Sequence, residues 1–527
     1  MADSLAVDRR FLAELATVPR DRLDADSRLT YDIFVRRREL DIEGVTYPAE
    51  LFPVDPFDAM PLKFARAAAE AGQRPFPNAR DYENWLRRID GCVLWMRQAI
   101  VNMREGIRRG YTLPRAVTQR ALPLIQALGE DSSANPLYAP LRALPDTLKE
   151  TERSDLRLRL TGAVKDKLLP AYREMHDFLQ NEYLPRARLT VGLSALPLGP
   201  AWYAYRLKRA TGTKLSPNEI HAIGLAEVER IRARMQALPG RVPAAAPAAH
   251  ASAPAATHAS APAATHATDG DPLGAIQELK NKVLAAVPAL FSAVPQGDFE
   301  IHSLGPFHEN APLVYRPADP ASGLPAVLYV DTAVLSTDAA PNAGGPPGTE
   351  IARFLEAAVP GRHFQSALQQ ERADLPKFRR FDSDAAFVEG WALYAASLGE
   401  ELGLYPDDEA KHGALSGELK CAAALVVDTG LHAKGWTREQ AVDYLRAQLG
   451  ADDAAAQLDV DRYIALPADA LACKMGELKF QALRSRAQQA LGARFDIREF
   501  HAEILKDGAM PMDILDAKLK LWTESPR

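Results

Sequence analysis

Residues 81–110 read DYENWLRRIDGCVLWMRQAIVNMREGIRRG, and this stretch decides the fold class. Its large apolar residues recur at three- and four-residue steps, from Trp85 through Val93 to Ile100. That spacing places them on one face of a helix, as in an amphipathic helix that packs on a core. Gly110 follows, and glycine is the residue type that most often ends a helix. We therefore predict one long amphipathic helix here, within a mostly helical N-terminal half.

Further helix signals lie on both sides of the chain's middle. Ser216 precedes Pro217 and is followed three residues later by Glu219, the spacing of a capping box at a helix start. Thr437 is predicted to cap a second helix. Only two short β-rich runs occur, APLVYR and AVLYVDT within residues 311–332, and they predict a small sheet or hairpin. The predicted fold is mainly α, with a small β element before the helices of the C-terminal part.

Composition excludes several classes of protein. The 527 residues are 47% hydrophobic and 25% charged, as in ordinary globular proteins, and the net charge is -6. That balance gives no electrostatic support for nucleic-acid binding. Cys92, Cys421 and Cys473 lie far apart in sequence, so a disulfide scaffold or a cysteine-based zinc knuckle is not expected.

The chain is expected to form one composite body interrupted by a spacer. Residues 1–237 form its helical N-terminal part, and residues 273–527 form a C-terminal part with the β element. Between them, residues 238–272 consist largely of Ala, Pro, Thr, Ser and His, with HASAPAAT twice in tandem. Such a composition cannot bury a core and is typical of a semi-stiff spacer. Its evenly spaced histidines are interpreted as copies within the repeat rather than as a metal site.

The N-terminal residues of the chain do not resemble an export signal. MADSLAVDRRFLAEL places acids and arginines where an export signal needs an apolar segment. No stretch reaches the roughly 18 apolar residues that span a bilayer. The default expectation is a cytoplasmic protein without a membrane span, and export is the alternative if the true start lies upstream.

A helix, Pro-Gly, helix pattern follows the β runs, as EIARFLEAAVPGRHFQSALQQER at residues 350–372. Its centre resembles the pattern H-E-A-x-P-G-H-H-x-Q of the bacterial family called domain of unknown function 885. The resemblance extends over nearly the whole chain outside the spacer. Matching segments are NMREGIRRGYTLPR (102–115), TVGLSALPLGPAWYAY (190–205), EIHAIGLAEVERI (219–231), VEGWALYA (388–395), VVDTGLHAKGWTREQA (426–441), DRYIALPADALACKMGEL (461–478) and FDIREFH (495–501).

The resemblance implies a large zincin-like helical body and metallopeptidase-like hydrolysis with zinc, but this chain departs from the motif. Glu356 stands for its first His, Ala357 for its Glu and Arg362 for the first of the paired histidines; only His363 is kept. A zincin needs imidazoles to hold Zn²⁺ and a carboxylate to take a proton from the bound water. Ala357 accepts no proton, and Arg362 brings a permanent positive charge. We therefore expect no intact catalytic residues and no cofactor.

Glu356, His363 and Glu389 are candidate ligands of a vestigial divalent-metal site. The resemblance implies Glu389 as the third ligand. Six further residues lie within the family motifs and are candidates to line a cleft for a substrate: His221, His432, Lys434, Arg438, Asp469 and Cys473. Structural roles are the alternative for each of them. Asp469 and Cys473 depart from the family, because the resemblance implies Gln and Tyr at these two positions.

Three functional hypotheses follow. The first is a non-catalytic or strongly impaired homologue of the hydrolases, with a cleft kept for a peptide or small amide ligand. The second is an active metal-dependent peptidase or amidohydrolase with the rearranged ligands Glu356, His363 and Glu389. The third is an interaction protein in which the Pro/Ala segment acts as a tether. The sequence contains no G-x-S-x-G nucleophile motif and no phosphate-binding loop, and it leaves the oligomeric state open.

Overall fold

The computed structural model describes residues 2–239, 271–304, 312–320, 323–332 and 349–525. Most of the spacer, with its histidine repeat, therefore lies outside the described residues. Helices before the spacer span Ala2–Leu15, Ala25–Gly44, Met60–Gln73, Ala79–Arg109, Arg115–Gly129, Ala139–Arg142, Glu150–Gly162, Leu169–Phe178, Gly199–Thr211 and Pro217–Ala237. Helices after it span Pro272–Ala286, Thr349–Ala357, Arg362–Glu371, Lys377–Arg380, Ala385–Ser397, Asp408–Ala433, Arg438–Leu449, Asp453–Ala465, Leu471–Leu491, Ile497–Leu505 and Met512–Glu524. Two π-helical segments, Ala163–Leu168 and Leu179–Tyr183, flank the Leu169–Phe178 helix.

Helix boundaries follow the signals in the sequence. The long helix runs over Ala79–Arg109, and Gly110 ends it in the left-handed conformation at φ 76°. Ser216 caps the Pro217–Ala237 helix with its capping box, and Thr437 caps Arg438–Leu449. The apolar stripe of the long helix, including Trp85 and Ile100, is buried. The mainly α prediction is confirmed.

The β element is a three-stranded sheet rather than a simple hairpin. The strands are β1 (Phe299–Ser303), β2 (Leu313–Arg316) and β3 (Ala326–Val330), and β3 lies in the middle. β2 pairs antiparallel with β3, while β1 pairs parallel with it. The two runs noted in the sequence are β2 and β3. β1 reads FEIHS, and its polar Glu300 and His302 hid it from a search for apolar runs.

The hydrophobic core draws on residues from both sides of the spacer. One large cluster joins the long Ala79–Arg109 helix to the Asp408–Ala433 helix, for instance through Met103 and Leu419. A second cluster packs the sheet against the C-terminal helices, around Trp391 and Phe480.

Two helices of the second cluster cross at a pair of glycines. Gly390 of the Ala385–Ser397 helix meets Gly476 of the Leu471–Leu491 helix, and a Cβ on Gly476 would lie 2.7 Å from the Cα of Gly390. The backbones can come this close only because neither residue has a side chain. Glu389 and Glu477, the neighbours of these glycines, are thereby brought to the same helix crossing.

One disulfide joins two helices, a single pairing that the sequence analysis did not predict. Cys421 on the Asp408–Ala433 helix is bonded to Cys473 on the Leu471–Leu491 helix, with a Cα–Cα distance of 6.1 Å. The two residues lie 52 positions apart. No local spacing pattern could have shown this pairing. Cys92 is free and buried.

Candidate functional site

Three helices bring Arg362 and Glu389 together. The Thr349–Ala357 helix ends one residue after Glu356, and the next helix begins at Arg362. The indole N–H of Trp391, on the Ala385–Ser397 helix, donates a hydrogen bond to the Pro360 carbonyl at 2.8 Å. That bond holds the Pro-Gly turn against the helix that carries Glu389.

The charged side chains at this turn form a bidentate pair. The Nε of Arg362 donates to Oε1 of Glu389 at 3.4 Å, and its Nη2 donates to Oε2. A carboxylate oxygen of Glu356 reaches towards the Asp408–Ala433 helix, where a Cβ on Gly417 would stand 3.4 Å from it. We call Glu356, Arg362 and Glu389 the Arg362 site.

The side chains of the Arg362 site are partly exposed to solvent. The side chains of Arg362 and Glu389 keep 31% and 40% of their surface exposed. Burial works to lower the pKa of Arg362, but the charge and hydrogen bond of Glu389, helped by Glu356, raise it above its ordinary value. Burial raises the pKa of Glu356, and Arg362 opposes that rise. The guanidinium is therefore a fixed cation beside an acid that is reluctant to ionise.

His363 faces away from these groups, towards the sheet. Its Nδ1 lies 3.2 Å from the hydroxyl of Tyr315 on β2, and its ring also bonds the backbone of Gly297. Burial lowers its pKa to about 4. The bond to Tyr315 joins the sheet to the Arg362–Glu371 helix.

The residues at this place do not fit a divalent metal ion. Glu356 and Glu389 flank a guanidinium, which cannot lose its proton to become a ligand. At about 5 Å and an effective dielectric near 20, its repulsion of a dication is on the order of 7 kcal/mol. Within the described ranges, no three His, Cys, Asp or Glu side chains are grouped so as to hold a metal ion. Ala357, at the position of the resembled general base, is buried.

His432 is held by backbone groups on both sides of its ring. The backbone N–H of Leu193 donates to Nδ1 at 3.0 Å, and Nε2 donates to the Tyr463 carbonyl at 2.9 Å. The ring is neutral, since burial lowers its pKa to about 3. Neither nitrogen is left for a substrate.

The other cleft candidates are paired at several separate places. His221 bonds Thr429 at 2.8 Å, and Lys434 bonds Asn218 at 3.0 Å. Arg438 holds Asp461 through two hydrogen bonds of 2.6 and 3.0 Å.

Asp469 and Cys473 have partners of their own. Asp469 pairs with Arg206 at 2.8 Å, and Cys473 is in the disulfide. No hydrogen bond or ion pair among the described residues joins any of these candidates to Arg362.

A buried ion cluster, which the sequence did not reveal, lies at the same helix crossing. The Nζ of Lys474 lies 2.7 Å from Glu477, 2.8 Å from Glu418 and 2.9 Å from Glu227. We call these four residues the Lys474 cluster. Burial works against the charge of Lys474, but Glu477 and Glu418 outweigh it and raise its pKa. The three-residue spacing of Lys474 and Glu477 suggests an ion pair, but their complete burial has no signature in the sequence.

A small recess borders the Lys474 cluster. Its volume is about 110 Å³, and Glu418 and Glu477 form part of its wall. Leu393, one helical turn after Glu389, and Tyr405 form another part. Burial raises the pKa of Tyr405, and the negative charge of Glu356 adds to that rise, which places Tyr405 near the Arg362 site.

Known structures share this fold. A protein of Colwellia psychrerythraea, provisionally named a lipoprotein, superposes with a TM-score of 0.86 at 24% identity, over 99% of this chain and 90% of that one. A protein of Shewanella oneidensis, provisionally named a lipoprotein of unknown function, gives a TM-score of 0.68 at 15% identity, over 99% and 92%. No protein with a curated description matches the chain. None of the described helices is long and apolar enough to cross a bilayer.

The family assignment rests on the sequence over almost its full length. Residues 1–519 match the family described as "Bacterial protein of unknown function (DUF885)". This agrees with the motifs that run from Asn102 to His501. The chain belongs to the DUF885 family of bacterial proteins.

Proposed function

We propose that this chain is a non-catalytic member of its family that binds a peptide or small amide ligand at the Arg362 site. The observation that carries the proposal is the bidentate pair of the Arg362 guanidinium with Glu389, near enough to Glu356 for its charge to raise the pKa of Arg362. The resemblance places metal ligands at these three positions. Here an internal cation takes the place of a metal ion.

The loss of hydrolysis follows from what the residues cannot do. Ala357 has no group that accepts a proton from water, and Arg362 is never deprotonated in a protein. The metal-dependent alternative needs His363 as a ligand. The bonds of His363 to Tyr315 and to the Gly297 backbone argue against that role.

The ligand class follows from the donors that the Arg362 site retains. Nε and Nη2 of Arg362 pair with Glu389, and no contact among the described residues uses Nη1. Its two N–H groups are suited to a carbonyl oxygen. Glu356, whose pKa burial raises, offers a carboxyl group that can exchange hydrogen bonds with an amide N–H. A carbonyl beside an N–H is the pattern of an amide.

The test is binding without turnover. The purified chain is incubated with a library of acetylated tripeptide amides, and bound and cleaved peptides are identified by mass spectrometry. We expect bound peptides to be recovered intact. For these peptides, Arg362→Met should weaken binding about 10- to 100-fold, the effect of losing a hydrogen bond to a charged group.

Arg104→Met is the matched control. Arg104 also forms a bidentate pair, with Glu182, but on the solvent-exposed face of the long helix. Its loss should leave peptide binding unchanged. Cleavage that a chelator abolishes would contradict the proposal, as would equal binding by both variants.

We also propose that the chain works in an oxidising compartment outside the cytoplasm. The disulfide between Cys421 and Cys473 supports this, since such bonds persist mainly in oxidising surroundings. The lipoprotein names of the two similar structures point the same way. Fractionation of the source cells should find the protein outside the cytoplasm with this pair oxidised, and a reduced cytoplasmic pool would contradict it.

A further inference from the structure

The disulfide lies within one helical turn of Glu418 and Glu477, which form part of the recess wall. Cys421 lies on the Asp408–Ala433 helix, three residues after Glu418, and Cys473 directly precedes Lys474 on the Leu471–Leu491 helix. Glu418 and Lys474 form a 2.8 Å ion pair across the same two helices. A covalent bond and a buried ion pair therefore join the helices at one place.

Both cysteines are accessible from solvent to some degree. Each side chain is half-buried, whereas Cys92 has only 2% of its surface exposed. Burial also raises the pKa of Cys92 to about 12, so its reactive thiolate is scarce. A dithiol should therefore reduce the disulfide of the folded protein without reacting at Cys92.

The ion pairs that join these helices carry a desolvation cost. Lys474, Glu418 and Glu477 have left water, and the cost of that transfer offsets much of their mutual attraction. Glu418 and Glu477 also border the recess, so water has a short path to them. Without the covalent bond, water competes with the ion pairs of the Lys474 cluster for the same charged groups.

We propose that the Cys421–Cys473 disulfide is a redox latch on the recess. A dithiol reductant opens it: one thiolate attacks a protein sulfur, the S–S bond breaks, and a mixed disulfide forms. The second thiol of the reductant then displaces the other protein cysteine. The protein gains two electrons and two protons as two thiols, and the reductant becomes a disulfide.

The two redox states differ at the recess. In the oxidised state the Lys474 cluster is buried and paired, as in this structure. In the reduced state the segments around Cys421 and Cys473 separate, and water enters from the recess. Oxidation on leaving the cytoplasm would thus close the recess wall. This latch does not depend on the proposed ligand, because its test uses no ligand.

The test compares the folded protein with and without dithiothreitol. Alkylation followed by mass spectrometry should show that Cys421 and Cys473 are modified after reduction and that Cys92 is not. Hydrogen exchange of residues 415–421 and 471–478 should then quicken at least about tenfold, which is 1.4 kcal/mol of opening free energy. Residues 85–103, in the core of the long helix, serve as the control and should exchange at an unchanged rate.

A double variant, Cys421→Ser with Cys473→Ser, should show the exchange pattern of the reduced protein. If it does not fold, the comparison of oxidised and reduced wild type decides alone. Three results would overturn the latch: a disulfide that resists dithiothreitol in the folded protein, unchanged exchange in both segments after reduction, or equal acceleration in residues 85–103.

Discussion

For single residues, the chemistry of the side chain could be predicted from the sequence, but its partners in the fold could not. That Glu356, Ala357 and Arg362 depart from a metal motif is a prediction from the resemblance, based on the chemistry of their side chains. That Arg362 pairs with Glu389 could not be known, since the two residues are 27 positions apart and on different helices. His432 matched the family pattern, but its bonds to Leu193 and Tyr463 depend on tertiary packing.

Asp428 provides a pH-dependent test at the scale of one residue. It is fully buried and accepts hydrogen bonds from the Tyr203 hydroxyl at 2.5 Å and from the Ala468 backbone N–H at 3.0 Å. Burial raises its pKa to about 7. Between about pH 4 and pH 7 the folded protein therefore holds a proton that the unfolded chain has released, so this group's contribution to stability falls as the pH rises.

We predict that Asp428→Asn removes this slope. The wild type should lose up to about 1.4 kcal/mol of unfolding free energy per pH unit across that window, relative to the variant. Urea unfolding of both proteins from pH 4 to pH 9 measures the difference. Parallel curves for the two proteins would contradict the assignment.

At the scale of elements, helix ends were predictable and helix crossings were not. The capping box of Ser216 and Glu219 and the glycine stop at Gly110 are local, so the sequence contains them in full. The parallel pairing of β1 with β3 depends on distant residues and on a strand with only two apolar positions. The disulfide was missed for the same reason.

The glycine crossing is the element-scale feature that places Glu389 and Glu477. We predict that Gly476→Ala lowers the unfolding free energy by at least about 2 kcal/mol, because its methyl group would meet the backbone of the Ala385–Ser397 helix. Gly91→Ala is the matched control: Gly91 is also helical, exposed and without atoms in the way. It should gain up to about 1 kcal/mol. Denaturant midpoints compare the two, and similar values would show that the crossing tolerates a side chain.

At the scale of the whole molecule, composition and periodicity were sufficient for the mainly α class. The family motifs lie on both sides of the spacer, as do the residues of the largest core cluster. The solvent exposure of the Arg362 site and the shape of the recess depend on how these distant parts pack. No pattern within the sequence contains that information.

The spacer provides a prediction at this scale. Its Ala, Pro, Thr, Ser and His composition cannot contribute much buried apolar surface. Replacing residues 241–270 with a short Gly/Ser linker should therefore shift the thermal midpoint by no more than about 1 °C, which for a chain of this size is about 1 kcal/mol. A loss of 10 °C or more would show that the segment packs on the body.

The central claim is that Arg362 takes the place of a metal ion between Glu356 and Glu389. The most direct measurement is zinc content and zinc binding, by elemental mass spectrometry and calorimetry, for the wild type and for the combined variant Glu356→His, Ala357→Glu, Arg362→His. We predict no stoichiometric zinc in the wild type and about one zinc per chain in the variant. Stoichiometric zinc in the wild type, with peptide cleavage that a chelator abolishes, would contradict the claim.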